Sequence, residues 1–108
     1  MDRLDIDVPD FNDSFSRVVL DGAQYLLRFT WNEFAKRWSF GLYTMQKEAL
    51  AVGLRLVPRF PLNLQIVDDR CPFGVFGVYS NAESVGRNDF KEGKAFFSYV
   101  SAKQVVDL

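Results

Sequence analysis

The sequence predicts an all-β fold, namely a small antiparallel β-sandwich or a partly open barrel of six to seven strands built from hairpins. Apolar and polar residues alternate with a period of two along several segments, which is typical of strands with one buried face. Turn-forming residues separate these segments at intervals of about 8–12 residues. Of the 108 residues, 48% are apolar and 16% aromatic, so one domain can bury a core built largely from rings.

The clearest hairpin lies around Asp21-Gly22. Residues 15–20 are rich in β-forming side chains and end at this pair, which suits a type I′ turn because both central residues need a positive φ. From residue 25 to residue 31 every second residue is apolar, so we predict that these side chains share the buried face. They are Tyr25, Leu27, Phe29 and Trp31.

A second hairpin is predicted across the polar turn at residues 32–36. Every second residue of the strand that follows is apolar, and we expect these side chains to pack against the rings of the preceding strand. They are Trp38, Phe40 and Leu42.

Three more strands are predicted after the central hairpins. The segment 50–57 alternates until Pro58 ends it, because proline cannot donate a backbone hydrogen bond to a sheet. Its inward residues are predicted to be Val52, Leu54 and Leu56. Two further short strands are predicted over residues 75–79 and 95–101.

Charge is distributed unevenly along the chain. Residues 1–13 contain five aspartates and one arginine, a net charge of −4, whereas residues 14–108 carry nine acids and twelve bases, a net charge of +3. We therefore divide the chain into an acidic leader, residues 1–13, and a single β domain, residues 14–108. Two interpretations of the leader remain open: a solvated, partly flexible terminus, or a segment that docks on a basic partner or on its own β domain.

Residue types that are absent or rare exclude several functions. The chain has no histidine, which removes the commonest general base, the histidine-activated nucleophiles and the imidazole metal ligands. The single cysteine allows no intrachain disulfide. The first residues lack the pattern of a signal peptide, and no apolar run approaches the ~20 residues that cross a bilayer. We therefore expect no enzyme, no cofactor, no metal, no secretion and no membrane partner.

The sequence offers few candidate groups for catalysis or metal binding, and the signal for each is weak. Asp68 and Asp69 are paired carboxylates that could serve acid–base chemistry or hold magnesium. With no third ligand nearby, a solvated turn with an ion pair to Arg70 is the favoured interpretation. Arg70 could lower the pKa of the adjacent Cys71 thiol. Without a histidine partner, a buried and unreactive thiol is favoured.

Basic and aromatic residues are neighbours at several places, such as Arg28-Phe29 and Arg37-Trp38. That pattern suits a sheet on which single-stranded bases stack. However, neighbours in any half-buried strand point to opposite faces, so we do not expect nucleic acid as the main partner. A sandwich or barrel that binds a glycan, a peptide or single-stranded nucleic acid is kept as the alternative function.

One ordered set of residues resembles a known protein family. It comprises the Asp-Gly turn, the aromatic strand, a Trp-Asn turn, a second tryptophan and a strand that reads Gly-Leu-Arg-Leu-Val-Pro. The members are Asp21, Gly22, Tyr25, Leu27, Arg28, Trp31, Asn32, Trp38, Leu42, Tyr43, Gly53, Leu54, Arg55, Leu56, Val57 and Pro58. Over residues 15–100 the chain resembles the small plug proteins of tailed-phage baseplates, of the cyanophage contractile-tail type. The acidic leader lies outside this pattern.

The resemblance implies a structural role in the virion and carries no active site. Such plugs pack with hub and spike proteins at the centre of the baseplate and help to close or stabilise the tail end before contraction. The implied partners are other baseplate proteins: the hub, the spike, and tail-tube or sheath-linked subunits. Assembly would take place in the host bacterial cytoplasm, and a homo-oligomer around the tail axis is compatible with this role.

The candidate interface residues are basic or aromatic side chains that lie away from the predicted core or in the irregular segments 58–72 and 81–94. Arginine and aromatic residues are enriched at the energetic centres of interfaces. For Arg28 and Arg55 an ion pair within the chain or a solvated face remains the alternative. We expect the rings at positions 60, 73 and 90 to be exposed anchors that fill partner pockets. The complete set is Arg28, Arg55, Arg59, Phe60, Phe73 and Phe90.

Overall fold

The computed structural model describes residues 3–64, 68–72 and 74–101, and within these residues the protein is all-β. Seven strands form two antiparallel sheets, without an α-helix in the described residues. The strands are β1 (Leu4–Ile6), β2 (Asp13–Leu20), β3 (Ala23–Asn32), β4 (Arg37–Tyr43), β5 (Ala49–Arg55), β6 (Val75–Ser80) and β7 (Ala95–Val100). One sheet has the order β2-β3-β4-β5 and the other β1-β7-β6. The predicted all-β class is confirmed, as two separate sheets rather than a closed barrel.

Turn chemistry determines the two central hairpins. Asp21 and Gly22 have φ angles of 54° and 82°, the positive values that a type I′ turn requires. Strands β2 and β3 pair without a break up to this turn. In the next turn, Asn32 Oδ1 accepts a 3.0 Å hydrogen bond from the backbone N–H of Ala35. Both predicted hairpins are present.

The core lies between the two sheets and consists mainly of aromatic rings. Phe97 of the three-stranded sheet meets Phe29 and Phe40 of the four-stranded sheet, with ring centroids 5.5 Å and 5.0 Å apart. Trp31 and Trp38 are paired across the second hairpin, with centroids 5.6 Å apart. Such edge-to-face contacts add to the free energy gained from burying the rings.

The residues that alternation assigns to the inner face are found in this core. Seven of them are buried: Leu27, Phe29, Trp31, Trp38, Phe40, Leu42 and Leu56. Tyr25 and Leu54 are half-buried and pack against the others. The three-stranded sheet contributes the opposite wall, and its largest buried rings are Phe76, Phe97 and Tyr99.

Strand β5 departs from the predicted alternation. Val52, which we expected to point inward, is 56% exposed, whereas Ala51 is buried. The register with β4 shifts between Phe40 and Leu42, and Gly53 has a φ of 68°, so β5 accommodates an extra residue as a bulge. An extra residue exchanges the two faces of the strand, and the prediction for Val52 is therefore wrong.

The acidic leader lies against the rest of the chain. Its strand β1 pairs with β7 and is one of the three strands of that sheet. Beyond β1, Asp10 accepts hydrogen bonds from Arg87 and Lys91 at 2.9 Å and 3.3 Å. Asp13, the last leader residue, accepts two from Arg28. These contacts are those of a leader docked on its own β domain, the second of the two interpretations.

The polar loop between β6 and β7 folds back onto the core. Val85 is buried, and Trp38 Nε1 donates a 3.3 Å hydrogen bond to the carbonyl of Gly86. Phe90 is half-buried, with its ring centroid 6.1 Å from that of Trp38. The guanidinium of Arg87 lies 5.1 Å from the Trp38 ring. The expectation that Phe90 is an exposed ring is wrong, because the loop uses this ring to cover Trp38.

Candidate interaction surfaces

The first surface that carries candidate interface residues is the outer face of the four-stranded sheet. Arg28 lies there on β3 and donates two hydrogen bonds, of 2.8 Å and 2.7 Å, to the carboxylate of Asp13. Its guanidinium also lies 5.6 Å from the centroid of the Phe15 ring. The hydrogen bonds from Arg28 hold the pKa of Asp13 below its ordinary value. Arg28 is therefore engaged within the chain.

Arg55 lies on the same face at the end of β5, where it is exposed and pairs in register with Ser39. It forms no ion pair with another described residue. On the same outer face, Val52 of β5 is 56% exposed, and Val19 of the more distant strand β2 is 55% exposed. This face thus combines an unpaired arginine with apolar surface.

The second surface is a groove of about 380 Å³ at the edge of the three-stranded sheet, which we call the β6 groove. The loop Arg59-Phe60-Pro61 lines one side, and residues of β6 and β7 line the other. The Phe60 ring is 69% exposed. Arg59 has a φ of 68°, and its guanidinium forms no ion pair with the described part of the chain.

The alternation of β6 builds the floor of this groove. Phe76 points into the core, so its neighbours Val75 and Gly77 point outward. Gly77 leaves the centre of the floor open, because a Cβ atom at this position would meet no atom within 4 Å. Tyr79 lines the groove and is 47% exposed. The result is an apolar floor with an aromatic and basic rim.

The aromatic surface continues from the groove onto β7 and β1. Phe96 pairs in register with Tyr79 and is 45% exposed. The guanidinium of Arg3 lies 4.2 Å from the Tyr79 ring centroid and 3.0 Å from the Asp5 carboxylate. Asp5 in turn accepts a 2.6 Å hydrogen bond from Ser98. Leader residues therefore hold the Tyr79 rim in place.

Four of the predicted interface residues lie on these two surfaces, whereas Phe90 packs against Trp38. Arg59 and Phe60 share the β6 groove. Arg28 and Arg55 lie together on the outer face of the other sheet. Phe73 lies outside the described residues. The five residues that the structure describes therefore do not form one continuous site.

Sequence reasoning missed five exposed rings in the described part of the chain, of which Phe11 lies just before β2 and Phe15 lies on it. Tyr79 and Phe96 lie on the outer face of the three-stranded sheet, and Phe34 is fully exposed in the turn between β3 and β4. The signal for Phe96 was present in the sequence, because Phe96 and Phe97 are adjacent and only one of two neighbours in a strand can face the core.

The candidate chemical groups are buried or engaged in ion pairs. Arg70 contacts Asp68 at 2.9 Å and Glu48 at 2.7 Å, and its hydrogen bonds lower the pKa of Asp68. Cys71 is buried, which raises the pKa of its thiol. In residues 3–64, 68–72 and 74–101 no three cysteine or acidic side chains are arranged to hold a metal ion. The same residues contain no helix long and apolar enough to cross a membrane.

Comparison with known proteins identifies the family. No curated protein matches the chain. The family model described as cyanophage baseplate Pam3 plug gp18 matches residues 1–103, which confirms the resemblance. The match includes the acidic leader, which the motif pattern had left out. The chain therefore belongs to the cyanophage baseplate plug family, Pam3 plug gp18.

Proposed function

We propose that this chain is a plug subunit that packs against the hub and spike proteins of a phage tail baseplate and helps to close or stabilise the tail end before contraction. Membership of the plug family supports the general part of this function, a structural virion component of the tail baseplate. The proposal adds the neighbours, the closing role and assembly in the host cytoplasm without secretion.

The observation that carries the proposal is the exposure of Phe60 in the β6 groove. The ring is 69% exposed, although burial of a phenylalanine side chain is worth roughly 1.5–3 kcal/mol. It stands beside Arg59, whose guanidinium has no ion pair among the described residues. An aromatic anchor next to an arginine is typical of the centre of a protein interface.

The position of the second surface supports a subunit that lies between neighbours. The outer face with Arg55 and the β6 groove with Phe60 belong to different sheets of the sandwich. One plug can therefore contact a different protein on each side, as a subunit packed between hub and spike must. A ring of copies around the tail axis would also need two different faces.

The variant Phe60→Ala tests the proposal. Phage that lack the plug gene are supplied with plug variants, and the amount of plug in purified tails is measured. We expect Phe60→Ala to fold normally and to weaken association by on the order of 2 kcal/mol, because the ring is an anchor.

The control is Phe34→Ala, which removes a fully exposed ring that does not line the groove. We expect it to enter tails like the wild-type chain. Wild-type incorporation of Phe60→Ala would show that the β6 groove is not the contact with the baseplate.

A further inference from the structure

The outer edge of β6 has no partner strand among the residues that the structure describes. β6 is the last strand of its sheet and pairs with β7 on one side. On the other side, Phe76 exchanges two backbone hydrogen bonds of 2.8 Å with Leu62. Because every second residue of a strand directs its backbone groups to the same side, those of Val78 and Ser80 also point to this edge. No strand in the described ranges pairs with them.

The chain itself turns away at the point where this pairing would continue. An antiparallel strand through Leu62 would place Phe60 opposite Val78. Pro61 and the positive φ of Arg59, 68°, redirect the chain instead, and Phe60 forms no backbone hydrogen bond with β6. The space left between the loop and the strand is the β6 groove.

We propose that the β6 groove receives an extended segment of a neighbouring baseplate protein, which joins the sheet as a strand beside Val78 and Ser80. This inference rests on the proposed function, because it names the kind of contact that the plug makes. Residues two apart in a strand are separated by about 6.6–6.8 Å, so an extended segment of three or four residues can pair with both positions. Backbone pairing gives such a contact its affinity, and the neighbouring pockets give it specificity.

The groove also selects the side chains of the incoming segment. Gly77 leaves the floor open, and Val75 and Val100 line it, so a medium-sized apolar side chain fits there. Arg59 presents a guanidinium without an ion pair to the described residues, and a carboxylate complements it. The segment is therefore extended and carries one apolar and one acidic residue.

A second copy of this chain fits the groove less well. A pair of β6 edges about a twofold axis would use the same loop of both copies. Each loop carries Arg59 and Phe60, so the matching loop of a second copy offers no carboxylate to the Arg59 guanidinium. Charge complementarity favours an acidic segment of a different protein.

Amide hydrogen exchange of the full chain tests the inference. The free plug is compared with the plug in purified baseplates. We expect the amides of Val78 and Ser80 to exchange fast in the free protein and at least about tenfold more slowly in the baseplate. The amide of Phe76 serves as the control, because its bond to Leu62 protects it in both states.

The outcomes separate this inference from the proposed function. A plug that is absent from purified baseplates would overturn both. A plug that is present, but whose Val78 and Ser80 amides exchange as fast as in the free protein, would overturn only the added strand.

Two variants at the groove provide a second test. Ser80→Pro removes one N–H at an edge where proline is tolerated, and Ser80→Ala is its control. Gly77→Val fills the floor, and its Cβ atom would meet no atom within 4 Å. We expect Ser80→Pro and Gly77→Val to lower the plug content of tails about tenfold, with Ser80→Ala unaffected. Should Ser80→Pro fail to fold, Gly77→Val decides, and its full incorporation would overturn the inference.

A charge reversal tests the acidic partner. Arg59→Glu is compared with Lys36→Glu, which reverses an exposed lysine in the turn between β3 and β4. We expect only Arg59→Glu to lower the plug content of tails, because it places a carboxylate against the acidic segment. Equal incorporation of the two variants would exclude an acidic residue opposite Arg59.

Discussion

The hydroxyl of Tyr99 donates a 2.5 Å hydrogen bond to Asp21 Oδ2, and this bond joins the two sheets. Tyr99 lies on β7 and is 3% exposed, whereas Asp21 is the exposed first residue of the turn between β2 and β3. Burial first, and the bond to Asp21 second, raise the pKa of Tyr99 well above its ordinary value. The turn between β2 and β3 is thereby held against the three-stranded sheet.

Removal of this hydroxyl should weaken the sandwich. We expect Tyr99→Phe to lower the free energy of unfolding by about 1–2 kcal/mol, because a partly buried hydrogen bond to a carboxylate is lost while the ring remains. Denaturant unfolding measures the change. As a control, Asp21→Asn keeps a residue that tolerates positive φ in the turn and should cost less. Wild-type stability of Tyr99→Phe would show that the bond contributes nothing.

Tyr99 should also make the folding stability depend on pH in the alkaline range. The pKa of Tyr99 is raised in the folded protein, so the folded state keeps a proton that the unfolded state loses above pH 10.0, the ordinary value. Its contribution is therefore complete below pH 10.0 and declines as the pH rises further. We expect a smaller decline for Tyr99→Phe, and a residual one from Tyr25, whose pKa burial also raises. Identical pH profiles for the two proteins would contradict this assignment.

Trp38 should be a main determinant of folding stability. It is 1% exposed, contacts Trp31 and Phe90, and donates to the Gly86 carbonyl. We expect Trp38→Ala to lower the free energy of unfolding by ~3–5 kcal/mol, measured by thermal or denaturant melts. Phe34→Ala, at a fully exposed position, should change it by less than ~0.5 kcal/mol. A Trp38→Ala variant that melts like the wild type would contradict the observed strand register.

Asp10 should hold the leader on the β domain. Its hydrogen bond from Arg87, and then that from Lys91, lower the pKa of Asp10. Such a carboxylate stabilises the docked leader above its ordinary pKa of 3.8 and loses this effect as the pH falls through the lowered value. At neutral pH we expect Asp10→Asn to accelerate amide exchange in β1, whereas Asp7→Asn should not. Equal exchange in these two variants would show that the ion pairs do not hold the leader.

Much of the fold was predictable because its determinants are local. Asp21-Gly22 specifies a tight turn through its own backbone preferences, and alternation assigns inner faces because neighbours in a strand point opposite ways. The inner faces of β3 and β4 follow from these two rules. The alternation rule fails at Val52, because the bulge at Gly53 depends on how β5 pairs with β4.

The candidate site was less predictable than the fold. The position of Phe60 in a proline-rich loop predicts an exposed ring, and Phe60 is exposed. Phe90 also lies in an irregular segment between two predicted strands, yet its ring packs on Trp38. Local sequence does not distinguish the two rings, because the difference lies in which distant residue each loop reaches.

The amino-acid sequence by itself determined the all-β class and the two central hairpins, since turn preferences and alternation act over a few residues, and its ordered motifs carried the resemblance to the plug family. Only the tertiary structure decided that the leader becomes a strand beside β7 and that Phe60 and Tyr79 share one groove. The physical reason is that these contacts join residues far apart in the chain. Their free energy depends on the packing of the whole sandwich.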